Sequence, residues 1–189
     1  REAVEIQGVS LDDSTGKPIL SHLSLKMMPG SMVALLGTES VSARALTELL
    51  MGFGMPSEGR VTIDGISIRD IHPSALARNV MWIEPGGPIW EGTVQENMCG
   101  GDHTINSRDV VEALEEVDVY ERLQRLPEGL NTIVSPGDST MGEETTYAMA
   151  VARALLHKPP IVLALEPAPT DEQLTDDPCL RALAKLVEG

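Results

Sequence analysis

Residues 32–51 read Met-Val-Ala-Leu-Leu-Gly-Thr-Glu-Ser-Val-Ser-Ala-Arg-Ala-Leu-Thr-Glu-Leu-Leu-Met, and this stretch decides the fold. The apolar run Met32–Leu36 predicts a buried strand, and Leu46–Met51 predicts a helix. The residues between them begin with Gly37 and predict a loop. A strand, a loop that begins with Gly and a helix, in this order, form the context in which a chain can bind phosphate groups.

The candidate phosphate loop departs from the pattern that phosphate binding requires, which is Gly, four residues, a second Gly, Lys and Ser or Thr. Its residues are Gly37, Thr38, Glu39, Ser40, Val41, Ser42, Ala43, Arg44 and Ala45. Gly37 matches the pattern, but Ser42 stands at the second Gly, Ala43 at the Lys and Arg44 at the hydroxyl residue. The loop therefore predicts a phosphate-binding scaffold that has lost its phosphate-binding groups.

Four further segments follow in a characteristic order and spacing. They are Gly59–Gly65, Trp90–Asn97, Leu126–Thr132 and the run Ala150–Leu156, which leads into Lys158–Leu163. Together with the loop, these segments resemble the nucleotide-binding domain of ABC transporters. The closest likeness is to the exporter type, in which that domain is usually fused behind a membrane domain. The resemblance covers essentially the whole chain.

The resemblance implies an α/β fold with a P-loop NTPase-like parallel-sheet core, an antiparallel β subdomain and an α-helical subdomain. It implies one unit over residues 1–189, divided into residues 1–73, 74–126 and 127–189. The first part holds the start of the core and the antiparallel subdomain, and the second is helical. The third holds the signature-like helix and the last core strand. We expect a fragment, because the chain starts without Met inside a strand-like segment and the family domain continues beyond residue 189.

Most positions that carry nucleotide chemistry in the family are changed in this chain. The adenine-stacking aromatic falls on Asp13, the Gln that binds magnesium and water on Pro85, and the magnesium-holding Asp on Leu165. Glu166 matches the catalytic Glu that polarises the attacking water, and it is the one catalytic carboxylate kept. We expect Glu166 to be idle, because an isolated base lacks the ligands that phosphoryl transfer needs.

The signature motif, usually Leu-Ser-Gly-Gly-Gln at a helix start, falls on Met141, Gly142, Glu143, Glu144 and Thr145. In the family this helix start faces the γ-phosphate held by a partner domain. Two carboxylates there suit the positive end of a helix dipole, but they repel a phosphate at short range.

These changes predict a degenerate domain without ATPase activity, a structural or regulatory partner with no cofactor and no metal site. Its implied partners are a second domain of the same type and a transmembrane domain, on the cytoplasmic side of a membrane. The alternative is an ATPase that uses ATP and Mg²⁺, with Arg44 in place of the Lys and Glu166 as base. Glu39 either fills the anion site or points to solvent. A third reading is a domain that binds another anion or a protein and has no role in transport.

Composition excludes some functions. The chain has 29 acidic and 14 basic residues and a net charge of -15, which disfavours nucleic acid and anionic lipid surfaces. Its two cysteines, Cys99 and Cys179, lie far apart and predict thiols in a reducing compartment. No apolar run approaches the roughly 18 residues of a membrane span, so we expect this fragment itself to be soluble.

Periodicity predicts the remaining elements. We expect a helix capped by Ser107, with an apolar stripe of Val110, Val111, Leu114 and Val117. The other predicted strands are 4–9, 19–25, 80–83 and 161–165, and the other predicted helices are 149–157 and 180–188.

Overall fold

The computed structural model describes residues 3–35, 40–138, 141–165 and 177–188. The chain forms two compact units, Arg1–Met81 and Trp82–Gly189. The predicted α/β fold is confirmed, whereas the boundaries predicted at residues 73 and 126 stay predictions.

Unit 1 is built on a four-stranded sheet in the order β2-β1-β3-β4, in which every neighbouring pair is antiparallel. Its strands are β1 (Val4–Asp12), β2 (Pro18–Met27), β3 (Glu58–Ile63) and β4 (Ile66–Ser67). In the central strand β1, Val4, Ile6 and Val9 are buried. The predicted strands 4–9 and 19–25 and the strand and turn at 59–65 are therefore confirmed.

Helix α1 (Ser40–Leu50) and helix α2 (Pro73–Asn79) complete unit 1. The prediction that the first helix starts at Leu46 is wrong, because α1 starts six residues earlier. Residues 40–45 contain neither Gly nor Pro, so nothing in their backbone opposes helical dihedral angles. Helix α1 buries one face through Ala45, Leu46, Leu49 and Leu50.

The prediction of a buried strand at Met32–Leu36 is wrong for its described part. Residues 31–35 adopt no strand conformation, and the side chains of Met32, Val33 and Leu35 are 53%, 41% and 42% exposed. A strand that is apolar on both faces is buried only where other strands pair with its edges and helices cover its faces. Among the described residues, this segment has no such strand partner.

Unit 2 is mostly helical. Strand β5 (Val80–Ile83) enters it and belongs to the same two-stranded sheet as β8, while β6 pairs with β7 antiparallel. Its other strands and α-helices are β6 (Gly92–Thr93), α3 (Val94–Cys99), α4 (Ser107–Glu116), α5 (Tyr120–Gln124), β7 (Ile133–Val134), α6 (Gly142–His157), β8 (Ile161–Ala164) and α7 (Pro178–Glu188), and a short 3-10 helix spans Gly129–Asn131. The strands predicted at 80–83 and 161–165 and the helix at 180–188 are confirmed.

Helix α6 forms the centre of unit 2. Every residue from Thr145 to Ala154 is buried, as expected for a helix that is surrounded on all sides. Helices α3, α4 and α7 all pack against it. Helix α6 starts at Gly142, so the predicted helix 149–157 was too short at its N-terminus.

The predicted apolar stripe lies along α4: Val110 and Leu114 in the helix and Val117 at its C-cap are buried, while Val111 is half-buried. The N-cap of α4 is not Ser107 but the preceding Asn106, whose Oδ1 accepts from the N–H groups of Arg108 and Asp109. Asn and Ser are both favoured caps, and Asn106 lies one residue earlier, at the position where the backbone is still extended.

No helix among the described residues combines the length and the apolar character that crossing a bilayer requires.

Candidate functional site

The described part of the candidate phosphate loop, Ser40–Ala45, lies in the first turns of α1. A phosphate cradle aims successive N–H groups at the anion by placing residues in the left-handed conformation. None of residues 40–45 is among the described residues with positive φ. In a helix each N–H group donates to the carbonyl four residues earlier, so the N–H groups from Arg44 onward are directed into α1. The described part of the loop is therefore helical, and the loop residues that precede it lie outside the described residues.

Ser42, at the position of the second Gly, has a structural contact. Its hydroxyl donates to the Ile19 carbonyl of β2 at 3.0 Å, and its side chain is half-buried. This hydrogen bond ties the first turn of α1 to the antiparallel sheet. A Gly at this position would have no side chain to make the contact.

Asp13, at the position of the adenine-stacking aromatic, caps its own turn. One carboxylate oxygen, Oδ1, accepts from the Thr15 hydroxyl at 2.6 Å and from the N–H groups of Thr15 and Lys17 at 2.8 and 2.9 Å. These hydrogen bonds, chiefly the one from the Thr15 hydroxyl, hold the pKa of Asp13 below its ordinary value. Asp13 therefore stabilises a turn.

The signature-like residues lie at the start of α6. Met141 is buried, and Gly142 takes a φ of +64°, which favours Gly at this position. Glu143 and Glu144 lie in the first turn of the helix, where the helix dipole favours carboxylates.

The two carboxylates have different surroundings. Arg122 Nη1 lies 3.2 Å from Glu144 Oε2 and 3.0 Å from the hydroxyl of the buried Thr145, which joins α5 to α6. The side chain of Glu143 instead extends beside Gly86, whose Cβ position would be 3.8 Å from Glu143 Cγ.

A cluster that sequence reasoning missed joins α6 to the residues after β5. The Arg153 side chain is only 6% exposed, and both its Nη atoms donate to the Pro88 carbonyl at 3.1 Å. Its guanidinium carbon lies 4.9 Å from the centre of the Trp90 ring, within cation–π distance. Burial lowers the pKa of Arg153 to about 10, so it remains a cation at neutral pH. The feature of the sequence that could have indicated this cluster is the single Arg within the apolar run 150–156.

Hydrogen bonds to Asn97 position the backbone of Trp90. The buried Asn97 accepts the Trp90 N–H through Oδ1 at 2.8 Å. Its Nδ2 donates to the carbonyls of Trp90 at 2.9 Å and Thr93 at 3.0 Å. Thr93 and Glu96 form a capping box at the start of α3, which fixes this helix end.

Comparison with known proteins supplies the family. A family profile described as "ABC transporter" matches residues 20–169, from strand β2 to beyond strand β8. The chain belongs to the ABC transporter family. This ABC transporter chain carries the exporter-like segments within the matched range.

Relatives agree with this assignment. The chain is 31% identical over 163 residues to the ATP-dependent lipid A-core flippase of Coxiella burnetii, covering 85% of this chain and 28% of the relative. It is 26% identical over 187 residues to the uncharacterized ABC transporter ATP-binding protein YfiC of Bacillus subtilis, covering 99% of this chain and 31% of the relative. The chain thus spans about a third or less of the length of these relatives.

A solved structure shows the same fold. It is titled "Structure of a bacterial Atm1-family ABC exporter with ATP bound", and it superposes with a TM-score of 0.82 at 25% identity. The match covers 99% of this chain and 33% of the solved chain. This ABC transporter chain therefore has the nucleotide-binding-domain fold of an exporter.

ATP with Mg²⁺ is the cofactor that the family implies, and the described residues do not fit it. Magnesium prefers oxygen ligands. Arg44, at the hydroxyl position, is a cation, and Leu165, at the Asp position, is apolar. Ala43 offers no charge to the phosphates, and Pro85 has no side-chain donor or acceptor. These positions therefore supply neither the oxygen ligands nor the Lys charge that Mg-ATP requires.

Four predicted site residues, Gly37, Thr38, Glu39 and Glu166, lie outside the described residues. The two alternatives for Glu39 and the idle role of Glu166 stay predictions. Among the others, the structure places Ser40, Val41, Ser42, Ala43, Arg44 and Ala45 in α1, and Gly142, Glu143, Glu144 and Thr145 in the first turns of α6.

Proposed function

We propose that this ABC transporter chain is a degenerate nucleotide-binding domain that does not hydrolyse ATP and acts as a structural or regulatory partner within an exporter-like transporter. The start of α1 at Ser40 is the observation that carries the proposal. Residues 40–45, the described part of the candidate phosphate loop, are helical, and the Ser42 hydroxyl donates to the Ile19 carbonyl.

The side chains strengthen the proposal. Hydrolysis needs a cation on the β- and γ-phosphates, a metal ligand set and a positioned water. Ala43, Arg44 and Leu165 supply neither the Lys charge nor an oxygen ligand in the expected places. A carboxylate such as Glu166 has little effect as a base without these groups.

The proposed setting is a membrane transporter. The relatives include a protein named as an ATP-dependent lipid A-core flippase, and the similar solved chain is an exporter about three times as long as the part that matches. We propose a second nucleotide-binding domain, in the same or another chain, and a transmembrane domain as partners, on the cytoplasmic side of the membrane. The net charge of -15 supports a partner other than nucleic acid.

Calorimetric titration with ATP tests the proposal. The chain is titrated to millimolar ATP with and without Mg²⁺, and we expect no binding heat in either titration. The control is a variant with Ser42→Gly, Ala43→Lys and Arg44→Thr, which rebuilds the spacing of Gly, Lys and hydroxyl residue. Tight binding of Mg-ATP by the parent chain would overturn the proposal. ATP turnover that disappears in Glu166→Gln would favour an ATPase with unusual ligands.

A further inference from the structure

Unit 2 contains an open cavity of about 360 Å³ at its surface. Helix α3, the start of α4, the end of α5 and the 3-10 helix Gly129–Asn131 surround this cavity. Ligand-binding cavities measure about 300–1000 Å³, so this one has room for a small molecule. The side chains that line it, and that define what we call the Glu128 cavity, are Gln95, Ser107, Gln124, Glu128, Leu130 and Asn131.

Most of these side chains have hydrogen-bonding groups to offer a ligand. Within the described part of the chain, the Ser107 hydroxyl, the Glu128 carboxylate and the Asn131 carboxamide form no hydrogen bond or ion pair. Gln95 Nε2 contacts the Cys99 sulfur, a weak acceptor, at 3.6 Å. A ligand with complementary groups can therefore bind here without breaking strong contacts within the protein.

Glu128 gives the cavity its charge. The other side chains in its described lining are neutral, and none of them is Lys, Arg or His. Arg108, which follows Ser107, donates from Nε to Glu112 Oε1 at 2.7 Å. Two N–H groups at the start of α4 donate to Asn106 Oδ1 and are thus satisfied within the chain. The cavity therefore repels an anion and attracts a cation.

Gly129 keeps one wall of the cavity open. Its φ is +55°, which favours Gly, and a Cβ there would lie 3.4 Å from Gln124 Oε1. Gln124 Nε2 donates to the Tyr120 hydroxyl at 2.9 Å, and this hydrogen bond orients the carboxamide. The Gln124 oxygen is thus available at the cavity wall as an acceptor.

We propose that the Glu128 cavity binds a small organic ammonium compound that carries hydroxyl groups. The ammonium group donates to the Glu128 carboxylate, and the hydroxyl groups exchange hydrogen bonds with the carboxamides of Gln95 and Asn131. A net charge of -15 adds a long-range attraction for a cation. The proposal goes beyond the proposed function, because none of these residues belongs to the candidate phosphate loop or to the signature-like residues.

Calorimetric titration of the full 189-residue chain at pH 7 tests the proposal with three probes that share a hydroxylated six-carbon chain. Glucamine carries an ammonium group at one end, sorbitol carries a hydroxyl there, and gluconate carries a carboxylate. We expect saturable binding of glucamine with a dissociation constant of about 1–10 mM, as suits a ligand of this size. Sorbitol should bind about tenfold more weakly, because it loses the charge-assisted hydrogen bond, and gluconate should give no binding heat.

Matched variants locate the charge that determines the affinity. Glu128→Gln keeps the size of the side chain but removes its charge, so the affinity for glucamine should fall about tenfold and the preference over sorbitol should disappear. Glu121→Gln removes the same charge from an exposed position of α5 outside the cavity, and it should leave the affinity unchanged. Asn131→Ala removes a partner of the hydroxyl groups and should weaken glucamine and sorbitol alike. Far-UV circular dichroism establishes that each variant is folded.

Equal affinity of the parent chain and Glu128→Gln for glucamine would overturn the proposal. Equal losses in Glu128→Gln and Glu121→Gln would also overturn it, because they would indicate attraction by net charge alone. Binding of gluconate, or the absence of saturable glucamine binding over this concentration range, would have the same consequence. These titrations contain no nucleotide, so their failure is distinct from a failure of the proposed function in the ATP titration.

Discussion

Substitutions at Ser42 test whether residues 40–45 of the candidate phosphate loop are helical. Both Ser42→Ala and Ser42→Gly remove the hydroxyl that donates to the Ile19 carbonyl at 3.0 Å, at a cost of about 1 kcal/mol. Ala then recovers about 0.5 kcal/mol through its higher helix propensity, while Gly loses a similar amount. We therefore expect the free energy of unfolding to fall by about 0.5 kcal/mol for Ser42→Ala and about 1.5 kcal/mol for Ser42→Gly.

The difference between the two variants is the informative quantity, because the lost hydrogen bond cancels in it. If residue 42 is helical, Ala is more stable than Gly by about 1 kcal/mol. If residue 42 had the left-handed conformation that a phosphate cradle requires, Gly would be the more stable by about 1–2 kcal/mol. The sign of the difference therefore separates the two conformations.

Urea unfolding followed by far-UV circular dichroism measures the difference. Asp64 is the matched control in the same unit, because its φ is +51°. There, Asp64→Gly should be more stable than Asp64→Ala by about 1 kcal/mol, the opposite sign to that at Ser42. If Ser42→Gly and Asp64→Gly were both more stable than their Ala counterparts, the helical assignment of residue 42 would be refuted.

Three further predictions concern both units. Gly59→Ala should destabilise the chain by about 1–3 kcal/mol more than Gly16→Ala in urea unfolding. Both glycines have positive φ, but only at Gly59 would the added Cβ lie 2.4 Å from backbone oxygens of β1. Equal losses would contradict that steric argument. In the native chain at pH 8, iodoacetamide should alkylate Cys99 before Cys179, because burial raises the pKa of the Cys179 thiol to about 12. Mass spectrometry of the peptides measures the order of alkylation, and alkylation of Cys179 first would contradict the packing around it. The hydrogen bonds that lower the pKa of Asp13 stabilise the folded chain at pH values above about 4, the pKa of an Asp side chain in the unfolded state, and this stabilisation is lost as the pH falls through the lower pKa of the folded state. Asp13→Asn should therefore reduce the difference in unfolding free energy between pH 7 and pH 3, measured by urea unfolding. An unchanged difference would count against the turn contacts.

Local patterns were enough to predict most strands and helices. Strand β1 alternates apolar and polar side chains, and its buried residues are the apolar ones. Helix α4 shows the helical period, and its apolar stripe is buried. These patterns are predictive because a spacing of two residues in a strand, or of three and four residues in a helix, places the apolar side chains on one face of that element.

The errors occur where distant partners or neighbouring residues decide the structure. The apolar run at Met32–Leu35 has the composition of a central strand, but pairing depends on other strands, which the run itself does not encode. The early start of α1 agrees with Ser instead of Gly at positions 40 and 42, a local effect that a comparison with a glycine-rich pattern hides.

The candidate site could be predicted in part. The sequence identified the missing Lys and the missing metal ligands, because those are single residue types at fixed positions. The contact between Arg153 and Trp90 was missed because the two residues are distant in sequence. A lone Arg in an apolar helix is a usable signal, since a buried guanidinium needs acceptors, and here the Pro88 carbonyl and the indole ring provide them.

The packing of α1 in this chain does not depend on the phosphate-binding residue types. Helix α1 is held by the buried face of Leu46, Leu49 and Leu50, which needs neither a glycine loop nor a Lys. Ser40 and Ser42 stand where the family pattern has Gly; Ser has less backbone freedom than Gly, and the Ser42 hydroxyl adds a hydrogen bond to β2. Each of these changes favours the helical start of α1 over an open cradle. Under the proposed function, phosphate binding would require at least a cationic side chain at position 43, and the rebuilt variant of the ATP titration tests that requirement.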